Sequence, residues 1–217
     1  MLIRTERRFS DRDLRQVLAG VLQGPLGRWA SWTAVGLFLV LISGYGLDHP
    51  VARYVHERMH PSRLSRRLVH IPELVTLACI TSVMVLGAWS AFVGRLTGFW
   101  RQLLLASVSL CIAMTLTTAF KIWFGRIPPL RWYDQQWRNF FAYLAGSFPS
   151  GHMTAMSAIG PYLWARSRWL MVPLVVAGLA GCYGLVTQQA HFISDLFGGM
   201  IVGGSVGYAV LCADRRG

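Results

Sequence analysis

His191 and Asp195 stand four residues apart at the start of an apolar run. On a helix that spacing puts both side chains on one face, close enough to touch. A carboxylate bonded to an imidazole fixes its tautomer and raises its basicity, which prepares a histidine as a base or a nucleophile. The same pair also has a structural use, tying a helix end to its neighbour. Earlier in the chain runs Phe148-Pro149-Ser150-Gly151-His152. Proline closes the preceding loop, and serine is a good N-cap for a helix beginning at Gly151. Free N–H groups, a hydroxyl and an imidazole at a helix N-terminus suit a phosphate, with glycine leaving the backbone open to approach. An ordinary capped helix would carry the same residues. Lys121 is the one lysine among 21 basic residues. As a compact cation it can pair with phosphate or anchor a span at a membrane surface.

These residues sit at the ends of apolar stretches, where ionisable groups are costly and mark candidate sites. Six stretches read as membrane spans: Trp29 to Leu47, Leu74 to Val93, Leu103 to Phe120, Gly151 to Ala165, Trp169 to Gln189 and Phe192 to Cys212. The expected fold class is therefore all-α, an integral membrane bundle of six transmembrane helices. The fourth stretch is short for a span of about 20 residues and contains Pro161. The flanking Arg166 and Arg168 can snorkel and lengthen it. Residues 1–28 form a basic tail. Within it Leu14, Val17, Leu18, Val21 and Leu22 have helical spacing that suits a membrane surface. Residues 29–217 form the membrane domain. The first apolar run is too long for a cleavable signal.

Composition supports this division. The chain has 217 residues, 54% of them apolar and only 14% charged, with mean hydropathy +0.44. A disordered chain, a soluble nucleic-acid binder and a disulfide scaffold are all poor fits. The net charge of +12 comes almost wholly from arginines that flank apolar runs, as expected beside anionic headgroups. Six spans put both termini on one side with twelve arginines, against nine basic residues on the other. That asymmetry orients both termini to the cytoplasm. Cys79, Cys111, Cys182 and Cys212 lie inside apolar runs and read as small buried side chains. Trp132, Tyr133, Trp137, Phe140, Phe141 and Tyr143 read as an interfacial belt or the lining of a lipid-entry groove. Gly198, Gly199, Gly203, Gly204 and Gly207 suggest close helix packing. His49, His56, His60 and His70 read as surface or headgroup contacts.

Taken in order, Lys121-Ile-Trp-Phe-Gly125-Arg126, Pro149-Ser150-Gly151-His152 and His191-Phe-Ile-Ser-Asp195 resemble the three motifs of the type 2 phosphatidic acid phosphatase superfamily. These are membrane lipid-phosphate phosphatases related to vanadium haloperoxidases. The resemblance covers roughly residues 100–205. It implies that His191 attacks phosphorus to form a phosphohistidine, that Asp195 orients it, and that His152 protonates the leaving group. It further implies that Lys121, Ser150 and the Gly151 amide hold the phosphate oxygens, with no metal and no cofactor. Positioning and charge neutralisation carry most of such a reaction.

The chain departs from the family pattern at two guanidinium positions. Pro128 stands where the first motif has arginine, and Gly184-Leu185 where the third has Ser-Arg. Arg126 is expected to replace part of this lost charge, with Arg131 and Arg138 as other sources. The expected function is hydrolysis of a lipid phosphate or diphosphate in a bacterial inner membrane, with the site facing the periplasm. Expected partners are the lipid substrate and membrane lipids, and no nucleic acid. A non-catalytic headgroup-binding relative and a lipid phosphotransferase are the alternatives. A rhomboid-like protease using Ser150 and His191 would leave Asp195 and Lys121 unexplained.

Overall fold

A computed structural model describes residues 24–134 and 146–215, and every regular element among them is helical. The amphipathic stretch before Gly24 lies outside the described residues, as do Arg138, Trp137, Phe140, Phe141 and Tyr143. Helix α1 (Pro25–Ile42) opens with proline at its first turn, where the missing N–H has no partner to lose. A π-helical turn, Ser43–Leu47, joins it to α2 (Asp48–Arg58). Pro50 sits in the first turn of α2, and the wider turn before it relieves the clash that proline makes with the preceding turn. The result is a nearly continuous rod that outruns the expected first span, ending at Arg58 and not Leu47.

Helix α3 (Arg63–Leu68) is capped by the Ser62 hydroxyl, which accepts the Ser65 N–H at 3.0 Å. Then follow α4 (His70–Phe92), α5 (Gly98–Phe124) and the short α6 (Pro129–Asp134). Gly125 ends α5 in a left-handed conformation, φ 54°, which only glycine adopts without strain. Helix α7 (Gly151–Arg166), a 3-10 turn (Arg168–Leu170), α8 (Met171–Thr187) and α9 (Ile193–Asp214) complete the chain.

Among the described residues, five helical runs are long and apolar enough to cross a membrane: Leu26–Arg58, Arg63–Phe92, Gly98–Tyr133, Arg168–Thr187 and Ile193–Asp214. Their outer faces carry large apolar side chains, among them Trp32, Phe38, Phe92 and Val176. The expected fourth span, α7, is shorter at 16 residues. At 1.5 Å per residue it is about 24 Å long, less than the hydrocarbon thickness of about 30 Å. It is nevertheless the innermost helix. Met153, Thr154, Ala155, Met156, Ala158, Gly160 and Tyr162 are all buried, against α5, α8 and above all α9.

The contact between α7 and α9 is backbone on backbone. A Cβ added at Gly199, Gly203 or Gly207 would lie under 3.0 Å from the carbonyl oxygen of Ser150, Thr154 or Ala158 respectively. Both series repeat every four residues, so one stripe of α9 lies along one stripe of α7. Gly198 instead makes room for the Phe148 ring. Gly204, read from sequence as part of the same packing, meets nothing within 4 Å. Polar bonds add to this core: Thr117 donates to Thr154 at 2.9 Å, and Ser109 pairs with the Tyr162 hydroxyl at 3.0 Å. At the end of the bundle where α5 begins, Arg101 bonds Asp214 at 2.6 Å and Arg166 lies over the Phe99 ring. The candidate residues gather at the other end.

Candidate active site

Each candidate side chain is delivered by a helix terminus. Lys121 lies in the last turn of α5, and its ammonium donates to the Gly146 carbonyl. The chain around residues 146–147 is bound to the end of α5: Ser147 N–H donates to the Arg126 carbonyl at 2.7 Å, and Gly146 lies against the Lys121 carbonyl. This anchoring carries the chain to Ser150, whose own N–H donates to the Asp195 carbonyl at 2.9 Å. The starts of α7 and α9 are thereby bonded directly to each other.

Ser150 occupies the N-cap position of α7 with extended backbone, as its sequence context predicts, but its hydroxyl caps nothing. That oxygen is fully buried and without a hydrogen-bond partner among the described residues. His191 Nδ1 is in the same condition. An unmet buried polar atom costs about 1–3 kcal/mol. Only three such side-chain atoms occur among the described residues, and two of them are here. The rings of His152 and His191 stand 6.3 Å apart, centroid to centroid. The Cβ direction of Gly151 points at the Met114 methyl, 3.4 Å away, so its missing side chain does not open the site as the sequence suggested.

The histidine–aspartate pair also departs from helical geometry. Helix α9 begins at Ile193, so His191 precedes it and the four-residue spacing is not a helical one. Asp195 instead caps the helix, its Oδ2 accepting the Phe192 N–H at 2.8 Å. His191 Nδ1 lies 3.6 Å from that same oxygen, adjacent but beyond a hydrogen bond. Asp195 is completely buried and His191 nearly so.

Arg126 is engaged by residues that no spacing relates. Its Nη1 donates to Asp195 Oδ1 at 2.8 Å and to the Ser194 hydroxyl at 2.6 Å, and its Nη2 donates to Asp48 Oδ2 at 2.6 Å. The guanidinium carbon lies 4.4 Å from the centre of the Phe192 ring. These contacts use three of the five N–H groups that arginine offers. Beside it, an open groove is lined by Phe124, Arg126 and Phe148. Asp48, almost fully buried at the start of α2, also accepts the Ser194 N–H at 3.0 Å and the Ser194 hydroxyl.

Other contacts hold the turn before His191. Gln189 adopts a left-handed conformation, φ 53°, and its carbonyl accepts the Leu130 N–H at 3.0 Å. Its side chain meets His56 at 3.1 Å, and His56 stacks on Tyr133. His49 packs its ring near both Trp132 and Phe192. Two of the basic-segment histidines thus support the site's roof. Glu73, on α4, lies 2.6 Å from His70 and 3.7 Å from His152. Leu185, at one lost arginine position, is wholly buried with Met153 and Leu196, and Gly184 beside it lies against the Ser65 carbonyl. No guanidinium could be accommodated there without opening the core.

Sequence reasoning missed Asp48, Glu73, Ser194 and Gln189. The signal for Asp48 was scarcity: the chain has nine acidic residues, and this one directly follows an apolar span. The family model described as the PAP2 superfamily matches residues 102–216, more than half of the chain. No curated protein and no solved structure matches it.

Proposed function

The chain belongs to the PAP2 superfamily, and from that premise we propose that it is a membrane phosphatase hydrolysing a lipid phosphate or diphosphate through a phosphohistidine. Family membership supports phosphatase chemistry on phosphate esters, and the five apolar helices support a membrane location. The observation that carries the finer reading is the pair of buried, unpartnered polar atoms, Ser150 Oγ and His191 Nδ1, beside the His152 ring. A bound phosphate gives the hydroxyl an acceptor. A small rotation brings Nδ1–H onto Asp195 and leaves Nε2 free to attack.

In this mechanism Nε2 forms a bond to phosphorus as the bond to the lipid oxygen, or to the second phosphate, breaks. His152 gives its proton to the leaving oxygen. Water then attacks the phosphohistidine, His152 takes the proton, and inorganic phosphate leaves. Lys121, Ser150 and the Gly151 N–H neutralise the transferring oxygens, since a first-turn N–H has no partner inside its helix. Arg126 offers its remaining N–H groups to the same charge. The reading makes α7 a sixth span, short and enclosed, with both termini cytoplasmic and the site on the periplasmic side of a bacterial inner membrane.

The burial of Leu185 where the family has arginine favours a second reading, a relative that binds a phosphate headgroup without turning it over. A phosphotransferase differs only in the acceptor of the second step. Purified protein, offered phosphatidic acid, phosphatidylglycerol phosphate, undecaprenyl diphosphate and lipid A, separates the three. Released inorganic phosphate, lost in His191→Ala, is the expected result. Binding without release overturns the enzyme reading, and phosphate appearing on an added alcohol and not on water identifies the transferase.

A further inference from the structure

Arg126 poses an electrostatic problem. Its guanidinium bonds Asp195 Oδ1, so the carboxylate meant to support His191 is already neutralised by a cation. A neutral ion pair does little to hold a proton, or a positive charge, on the neighbouring imidazole. Asp48 changes the balance. It bonds the other guanidinium nitrogen, and it reaches the first turn of α9 through Ser194 N–H and hydroxyl. Two buried carboxylates around one guanidinium leave one net negative charge. Asp48 also lines the same small cavity as His191, together with Gln189 and Phe192.

We propose that Asp48 is a positioning residue that restores the negative charge Arg126 cancels, so that the Asp48–Arg126–Asp195 cluster acts on His191 as a single carboxylate would. The inference rests on the reading of His191 as nucleophile. Asp48 touches no reacting atom; it acts through Arg126 and Ser194. Its second effect is geometric. By drawing Nη2 away, it keeps Arg126 on one oxygen of Asp195 and leaves Oδ2 facing His191.

Several other groups share the field at His191. They are Asp195 on α9, Arg126 between α5 and α6, His152 on α7, Lys121 on α5 and, behind His152, Glu73 on α4. None of them changes in the test below except Arg126. Removing Asp48's charge destabilises an imidazolium at His191, and removing Arg126's charge stabilises it. The two effects have opposite sign, which loss of packing alone would not produce.

The test reads His191 without substrate, in the full-length protein in detergent. Diethyl pyrocarbonate acylates neutral imidazole, and mass spectrometry of the His191 peptide follows the rate against pH. Asp48→Asn, which keeps the shape, should move the His191 midpoint down by about one pH unit, the low end of what a nearby charge produces. Arg126→Gln should move it up by a similar amount, and the double variant should return it near wild type. Midpoints that stay fixed, or that both move the same way, overturn the proposal. Should Asp48→Asn lose its helical circular dichroism, the neutral Asp48→Ser is read in its place, and a midpoint that does not fall there is the refutation. If the midpoints move as stated while wild type releases no phosphate, the charge balance stands and the phosphatase reading falls.

Discussion

Ser150 separates what a residue does for its helix from what it does for a ligand. A working serine N-cap is worth about 1 kcal/mol, yet this hydroxyl makes no cap bond. Ser150→Ala removes an unmet buried oxygen and no cap bond, so it should raise the melting temperature slightly and in no case lower it. It should still lower kcat/KM about tenfold to a hundredfold, the worth of a bond to a charged group of about 1.5–3 kcal/mol. Thermal melts and phosphate-release kinetics on one preparation check both halves. At the same scale, Arg126→Ala should cost more turnover than Arg131→Ala. Arg126 bonds the carboxylate beside His191, whereas Arg131 lies on α6 with no bond to that cluster. Arg126→Lys should rescue only part, because an ammonium cannot reach Asp48 and Asp195 together as the planar fork does. Equal rates for the Arg126 and Arg131 alanine variants would refute this ranking.

Between elements, the decisive contact is the stripe of glycines on α9 against carbonyls of α7. It sets the distance between Ser150 and Asp195, because the N–H of one donates to the carbonyl of the other at the top of that stripe. Without a strong hydrophobic drive between helices in lipid, such close approach supplies much of the packing. Gly203→Val should force the helices apart and cost about 3 kcal/mol or more, beyond ordinary overpacking, with loss of activity. Gly204→Ala, one residue along and facing open space, should change stability by less than about 0.5 kcal/mol. Detergent melting curves of the two variants read the contrast directly.

At the scale of the molecule, the long α5 and α9 divide the bundle into two ends. The start of α5 meets the end of α9 through Arg101 and Asp214, while the end of α5 meets the start of α9 through Arg126 and Asp195. Lys121, His152, His191, Asp48 and Glu73 share the second end. Reporter fusions at residues 140 and 217 should consequently fall on opposite sides of the membrane. The described residues on either side of residue 140 both sit at the site end, where Leu130 bonds Gln189 and Gly146 bonds Lys121. The same compartment for both fusions would overturn the six-span topology.

Five of the six expected spans, the helical class and the gathering of Lys121, Ser150, His152 and His191 at one end were legible in the sequence. Apolar run length and motif order are local properties, and each span reverses the chain's direction. What sequence could not show was how those residues meet. It read Ser150 as a cap and His191 with Asp195 as a helical pair, because a backbone's first helical turn is fixed by tertiary bonds as well as by propensity. Asp195 was claimed by the Phe192 N–H and by Arg126, so the helix starts after His191. The glycine stripe was visible, but its partner carbonyls on α7 were not, and Gly204 could not be told from its neighbours. Asp48 lies 78 residues from Arg126 and 146 from Ser194. No periodicity spans such distances. Only the packed bundle brings the two buried carboxylates onto one guanidinium, because burying either without that partner would leave an uncompensated charge.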